Sequence, residues 1–485
     1  MTRVVVVGGG IAGAAAALEL IDQCPGVEVV VLEGHARLGG RVWSFRRRGH
    51  TFDNGQHVFL RCCTEYLSFL DRIGARDLVE LPPRLDLAVL APGGRAARLR
   101  RDDLPAPLHL GRALLRYGHI SLLDRARLGP AVVALRRLDL DDPALDSVTF
   151  GQWLARHGQS AAAIAKLWDL IVRPTVNVGA DDASLTLAAK VVRTGLLDSA
   201  DGVDIGWARV PLSVIHDGAV GRALEVAGVE VRTRAKVETL EVDGAGRGSV
   251  RGVRLVTGEV VAADAVVLAV PHPVAARLAA GTLPVAVTEC WSGLGTSPIV
   301  NVHLVLDRMV SDLPMAAAVD SPVQFVFDRS DAAGVATGRQ CLVSSLSAAE
   351  DLVAAPADRL IAEQFEALGE LFPAARHANV LDAVVTRERS ATFAGGPGSR
   401  QVRPAAATSI KGLALAGAWT DTGWPSTMEG AVRSGRAAAD SLLPGLAGLA
   451  RGGVGDAGAG ASGDRSGSAT SGARQPADLT QEVSA

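Results

Sequence analysis

Apolar and polar positions change period several times along the chain, and each change predicts an element. Arg3 to Val7 reads RVVVV, the unbroken β-branched run of a strand buried on both faces, and GGGIAGAAAALEL after it predicts a tightly packed helix. A second apolar run, VEVVVLE, ends at Glu33. TEYLSFLDRIG sets Tyr66, Leu67, Phe69, Leu70 and Ile73 on one side of an amphipathic helix, and residues 76–205 predict a helix-rich segment with arginine-bearing stretches such as GRALLRYGHISLLDRARLG. Period two returns in GVEVRTRAKVETLEVD and SVRGVRLVTGEVV, followed by the apolar ADAVVLAVP. Strand signals SPIVNVHLVLD, VQFVFD and QCLVSSL, with a helical PADRLIAEQFEALGELF, fill 285–385, and the strand GLALAG runs into a last helix around STMEGAVRSGRAAADSLL. One stretch breaks the pattern. FDNGQHVF, Phe52 to Phe59, puts Asp53, Asn54, Gln56 and His57 where core strand is expected, and burying such groups costs several kcal/mol unless each finds a partner.

Composition narrows the class. At 485 residues with 48% apolar and 21% charged side chains the chain is globular, large enough for two or three lobes. A formal net charge of −3 gives no basic field for a phosphate backbone, so nucleic acid is not expected as a partner. The five cysteines lack C-x-x-C spacing and sit in apolar runs, as reduced core thiols of a cytoplasmic protein would, and no metal-ligand spacing appears. Arg3 and the run Val4 to Leu18 resemble a signal peptide, but glycines at fixed offsets assign that run to the fold. No uninterrupted stretch of 18 apolar residues predicts a spanning helix, while peripheral contact at the inner membrane face stays open.

Those glycines are Gly8, Gly10 and Gly13. G-x-G-x-x-G between strand and helix is the dinucleotide-binding pattern: Gly8 for the tight turn, Gly10 for approach to a pyrophosphate, Gly13 for helix–strand packing, with the phosphates on the free N–H groups where Ile11 and Ala12 open the helix. Glu33, twenty residues after Gly13, stands where a carboxylate accepts ribose hydroxyls. ARLGGRV follows, in which Gly39 and Gly40 permit close backbone approach and Arg41 offers paired bonds to phosphate.

RLGGR resembles the R-x-G-G-R stretch after the first βαβ unit of the FAD-dependent amine oxidase and phytoene desaturase superfamily. AGAWTDTGWPSTMEGAVRSG resembles its closing FAD motif. The spelling Asp53-Asn54-Gly55-Gln56-His57, with WDLIVRPTVNVGADDASLTLAAKVVRTGLL and WTDTG, is similar to one branch, the squalene-associated hydroxysqualene dehydroxylases. The resemblance implies an α/β fold of amine oxidase (GR2-like) architecture. A discontinuous Rossmann-type FAD-binding domain (1–75, 206–284, 386–446) would carry an inserted mixed α+β substrate domain (76–205, 285–385) with a helical cap. Residues 447–485, rich in Gly, Ala and Ser, read as a disordered tail.

It also implies FAD held by Gly8, Gly10, Ile11, Ala12, Gly13, Glu33, Gly39, Gly40, Arg41, Gly55, Gln56, His57, Val237, Gly417, Asp421, Thr427 and Met428. The FDNGQH string would pass before the flavin ring and be paired by it. Ala418 departs from the family's Asp after the glycine, which removes one bond to the ribityl chain, with Asp421 as the nearest substitute. The implied reaction replaces the hydroxyl of hydroxysqualene by hydrogen. Such a site needs a proton donor, for which His57 is the candidate, and an electron-rich wall, for which Trp168, Trp419 and Trp424 are candidates. Implied partners are a hydrophobic isoprenoid substrate and an electron donor the sequence does not identify. Carotenoid desaturation, amine oxidation and non-catalytic prenyl-lipid carriage on the same fold are the alternatives.

Overall fold

A computed structural model describes residues 2–244 and 248–452; residues 453–485, most of the expected tail, lie outside them. Five parallel strands form the first sheet: β1 (Arg3–Val7), β2 (Glu28–Leu32), β3 (Glu230–Arg232), β4 (Ala265–Leu268) and β5 (Leu413–Leu415), in the order β3-β2-β1-β4-β5. Val4–Val7 pairs with Val29–Leu32 on one side and Ala265–Leu268 on the other. Helix α1 (Ile11–Gln23) joins β1 to β2, and α2 (Met428–Gly452) follows β5 and packs on α1. Valine runs suit this position because both strand faces are covered. Helix α2 extends six residues past 446, where the tail was expected to begin.

The second sheet has seven strands, in the order Val380–Thr392, Ser297–Leu306, Gln340–Ser347, Phe325–Asp328, Met315–Ala318, Asp86–Ala91, Arg95–Arg100. Two expectations change here. The hairpin Asp86–Arg100 lies within a segment read as helical, and residues 386–392, assigned to the nucleotide unit, pair with Ser297–Ile299 and their neighbours in this sheet. Along Ser297–Leu306 the alternation is strict: Val300, Val302, Leu304 and Leu306 pack under helix Ala357–Leu371, so Asn301, His303 and Val305 face the other way. Helices Leu122–Arg136, Phe150–Arg156, Asp169–Val176 and Leu185–Val192 form the cap. Tyr66, Phe69, Leu70 and Ile73 of the amphipathic stretch are buried as expected, but Cys290 is exposed, unlike the core thiol predicted.

Candidate active site

The carboxyl ends of the parallel strands bring Gly8, Glu33, Ala269 and Gly417 to one edge, where open α/β sheets bind ligands. Gly8 has φ +108°, and a Cβ there would meet the Ala269 carbonyl at 2.4 Å; one on Gly13 would meet the Gly8 carbonyl at 1.9 Å. A Cβ on Gly10 would meet only the Gly40 backbone, at 3.7 Å, so this face of the loop presents no side chain. Gly39 N–H donates to the Gly9 carbonyl and ties the two glycine loops together. Gly10 caps α1 without a side-chain bond, leaving the helix-terminal N–H groups beyond it to a ligand. Glu33 is buried; Oε2 accepts from Gly9 N–H, which leaves that oxygen a lone pair for a hydroxyl, while Oε1 accepts from His35 N–H and lies 2.8 Å from the His35 ring Nδ1. Ala235 N–H donates to the Glu33 carbonyl, so the strand starting at buried Val237 begins beside this end.

Arg37 and Arg41 divide the charge. Arg37 donates to the Leu38 and Gly40 carbonyls and lies over Trp43 at 4.5 Å. The Arg41 guanidinium makes no hydrogen bond or ion pair among the described residues, and burial, against the charge of Glu388, pulls its pKa below the usual guanidinium value. A desolvated, unpaired cation beside two glycine loops calls for an anion.

The polar string of FDNGQH is only half explained by a cofactor. Asp53 accepts from Leu212 N–H and the Ser44 hydroxyl and pairs with Arg329 at 2.9 Å. Asn54 accepts from Trp43 N–H and donates to the Arg41 carbonyl and Glu388. These two residues are protein-paired, a correction to the expectation that the whole string faces the ring. What remains is Gly55, Gln56 and His57. Gln56 Nε2 is buried without a partner among the described residues, and His57 has only a 3.4 Å contact to the Gly55 carbonyl. A Cβ on Gly55 would lie 3.2 Å from Asn301 Nδ2. Asn301 Oδ1 and the hydroxyl of Thr386, opposite it in the sheet, are also buried and unpartnered. Gln56 and His57 line a cavity of about 10 Å³ with Leu212, Phe327 and Arg329, room for about one water.

Burial holds His57 below the ordinary imidazole value, so it is mostly neutral at neutral pH. His216, on a π-helical turn (Val214–Ala219), packs on Gly39, stacks on Tyr66 and lies 3.2 Å from its hydroxyl; burial, then the charge of His57, takes it to about 3. Sequence reasoning missed Asn301, Thr386 and His216, which sit among ordinary strand and helix residues.

In the closing motif Gly417 has φ +135° and donates to the Ser434 hydroxyl. Arg403, also missed, is buried and donates to the carbonyls of Trp419, Thr420 and Trp424, setting the loop's shape. Thr427 accepts from Gly430 N–H at the start of α2, beside half-buried Met428. Asp421 is exposed and accepts from Gly423 N–H. Each of the three candidate indoles already has partners within the protein. Trp168 lies in the cap core, edge-on to Phe150, its N–H spent on Gln159, and so reads as packing rather than substrate wall. Trp419 spends its N–H on the Val270 carbonyl and packs on Trp291. Trp424 already lies between Arg433 and Lys190, at 5.0 and 5.7 Å.

The whole arrangement can be compared with known proteins. Residues 11–443 match the flavin containing amine oxidoreductase family. A hydroxysqualene dehydroxylase of Rhodopseudomonas palustris is 31% identical over 451 residues, 90% of this chain and 97% of that protein. A zeta-carotene desaturase of Zea mays is 26% identical over 90% of this chain and 82% of its own length. A cyclohexylamine oxidase from Brevibacterium oxydans has the same fold, with a TM-score of 0.66 at 20% identity over 92% of this chain and 99% of that one. So does an oxidoreductase from Methanosarcina mazei, at 0.71 and 16% over 91% and 100%. The side-chain-free face of Gly10, the unpartnered guanidinium of Arg41 and the spare lone pair on Glu33 Oε2 fit the adenosine diphosphate half of FAD. With nine-tenths of its length matched, the chain belongs to the flavin containing amine oxidoreductase family, with hydroxysqualene dehydroxylase among its relatives, and is an FAD-dependent oxidoreductase.

Proposed function

We propose that the protein converts hydroxysqualene to squalene, with FAD held by Gly8 to Gly13, Glu33, Arg41 and the start of α2. Bound FAD in its two-electron-reduced form supplies the hydride, so that the alcohol, one hydride and one proton give the hydrocarbon and water. The carbinol is allylic, and protonating its oxygen lets water leave as the carbon becomes a delocalised cation. His57 is the residue proposed to hold that proton. Because burial makes its imidazolium more acidic than usual, the proton is passed on readily, but the charged form is scarce at neutral pH.

One observation favours an alcohol over a hydrocarbon substrate. Gln56 Nε2, Asn301 Oδ1 and the Thr386 hydroxyl, buried and unpartnered around Gly55, offer donors and acceptors that a carbinol oxygen uses and a polyene cannot. Asn301 also stands on a strand, Ser297–Leu306, that carries no lysine to serve amine chemistry. The relative in Zea mays supports the second reading, carotene desaturation by the same cofactor run oxidatively. Anaerobic incubation of reduced holoenzyme with hydroxysqualene tests the choice. Squalene is the expected product; unchanged alcohol beside rapid turnover of zeta-carotene would replace this reading with the second.

A further inference from the structure

Residues 104–123, LPAPLHLGRALLRYGHISLL, contain no Asp or Glu in a chain where 52 of 485 residues are acidic. Their inner side is anchored: Leu110, Tyr117 and Ile120 are buried, Tyr117 donates to the Lys166 carbonyl, and His119 bonds the Val89 carbonyl of the seven-stranded sheet. Their outer side is apolar. Leu108, Leu115, Leu122 and Leu123 are 61, 70, 77 and 58% exposed, with Leu104 beside them at 48%. Arg125 joins the parts, donating to the carbonyls of both Leu115 and Ile120, so the short helix Gly111–Leu115 and the first turn of Leu122–Arg136 form one surface. Arg112 and Arg116 are exposed on that surface; Arg112 pairs with Asp102, and Arg116 has no ion-pair partner among the described residues. Exposed leucine is costly in water, and five within twenty residues far exceed the scatter of single apolar residues on the rest of the surface.

We infer that residues 104–123 dock the protein on a bilayer containing anionic lipid, the leucines entering the acyl boundary and Arg112 and Arg116 meeting the headgroup phosphates. Arg116, without an ion-pair partner among the described residues, matches an anionic leaflet, as does Arg112 once a phosphate replaces Asp102, and apolar tips with basic flanks are how a protein lies on a membrane without crossing it. No helix among the described residues is long and apolar enough to cross one. His119 anchors this surface on the sheet that also carries Asn301, four strands away, so a water-insoluble substrate would leave the bilayer on the side of the substrate domain, a consequence that rests on the reaction proposed above, whereas the docking itself does not.

The test is flotation of FAD-loaded protein with vesicles of phosphatidylcholine alone or with phosphatidylglycerol added. Wild type is expected to float with the anionic vesicles. The Leu115→Asp/Leu122→Asp double variant is expected to lose at least 10-fold in bound fraction, and Arg116→Glu several-fold. Both should keep their flavin absorbance, because these side chains make no core contact. Wild type that stays at the bottom of the gradient, or a double variant that floats as well as wild type, overturns the inference. So does a concentration-dependent dimer abolished by the double variant, which would show a second copy of the chain covering this surface. Turnover of detergent-dispersed hydroxysqualene by the double variant separates failure of docking from failure of the reaction.

Discussion

Gly435 of α2 lies against Ala12 of α1 so closely that a Cβ built on it falls 2.3 Å from the Ala12 carbonyl oxygen and 2.8 Å from the Ala16 amide nitrogen. Both neighbours are backbone and cannot swing aside. This contact fixes the distance between the helix that opens at the glycine loop and the helix that opens at Met428, and so the span the cofactor must bridge. Gly435→Ala is expected to destabilise the protein by about 1–3 kcal/mol and to lower the flavin retained on purification. Gly445, on the same helix with nothing within 4 Å, provides the contrast: Gly445→Ala should gain about 0.5–1 kcal/mol. Thermal melting with flavin absorbance measures both, and equal effects would show that the close approach is not what holds the helices in place.

Arg41 is the one guanidinium of the glycine loops left free for phosphate. Arg41→Gln should weaken FAD binding by about 1.5–3 kcal/mol, roughly 10- to 150-fold in Kd. The melting temperature of the FAD-free protein should hardly move, because the Arg41 guanidinium has no hydrogen bond to lose among the described residues. Titration of FAD into stripped protein reads the first effect. A drop in FAD-free stability of the same size would make Arg41 a structural residue.

What was legible in the sequence was whatever the backbone dictates locally. Gly8, Gly10 and Gly13 announce a turn, a close approach and a packed helix because no other residue allows them, and the valine runs announce a sheet covered on both faces. The same reasoning placed Glu33 at the end of β2. It failed where partners come from far along the chain. Asp53 reads from the sequence as an anchor of its loop, but its partner Arg329 lies 276 residues away and could not be named. Asn301 occupies a strand position that periodicity fills equally well with valine, and only its register against Thr386 and its approach to Gly55 mark it. Arg403 acts on backbone carbonyls, which carry no signal in the side-chain pattern. Trp168 could not be placed because an indole in a core and an indole beside a substrate look the same until its N–H partner, Gln159, is known.

Acid should destabilise the protein through its buried histidines, three of which lie far below the ordinary imidazole value. Burial, with nearby cationic charge, holds His272 at about 4 and His216 and His303 at about 3, and each has a ring nitrogen with no partner among the described residues. Unfolded, each would take a proton near pH 6.5. Between pH 6.5 and about 4 the unfolded chain therefore binds more protons than the folded one, so stability falls as pH drops through that window and is level above it. Going from pH 6.5 to 5 should cost on the order of 2 kcal/mol per histidine. His303→Phe, which keeps an aromatic ring against Phe52, removes one of these and should lessen the loss between pH 6.5 and 5 by about 2 kcal/mol in denaturant titrations at pH 7, 6 and 5.

Asn301 and Thr386 decide whether the unpartnered polar atoms serve substrate or cofactor. Asn301 Oδ1, beside Gly55, and the Thr386 hydroxyl, opposite it in the sheet, are buried without partners among the described residues, a cost of about 1–3 kcal/mol each that an apolar side chain of similar shape removes. Asn301→Leu and Thr386→Val should therefore melt no lower than wild type, less the single 3.3 Å bond from Asn301 Nδ2 to the Asn54 carbonyl. If these atoms hold the carbinol oxygen, kcat/KM for hydroxysqualene should fall by roughly 5- to 150-fold, the same 1–3 kcal/mol lost from the transition state, while FAD affinity stays at the wild-type value. A parallel loss of FAD affinity would move the pair to the cofactor's edge and remove the feature that favours an alcohol over a polyene.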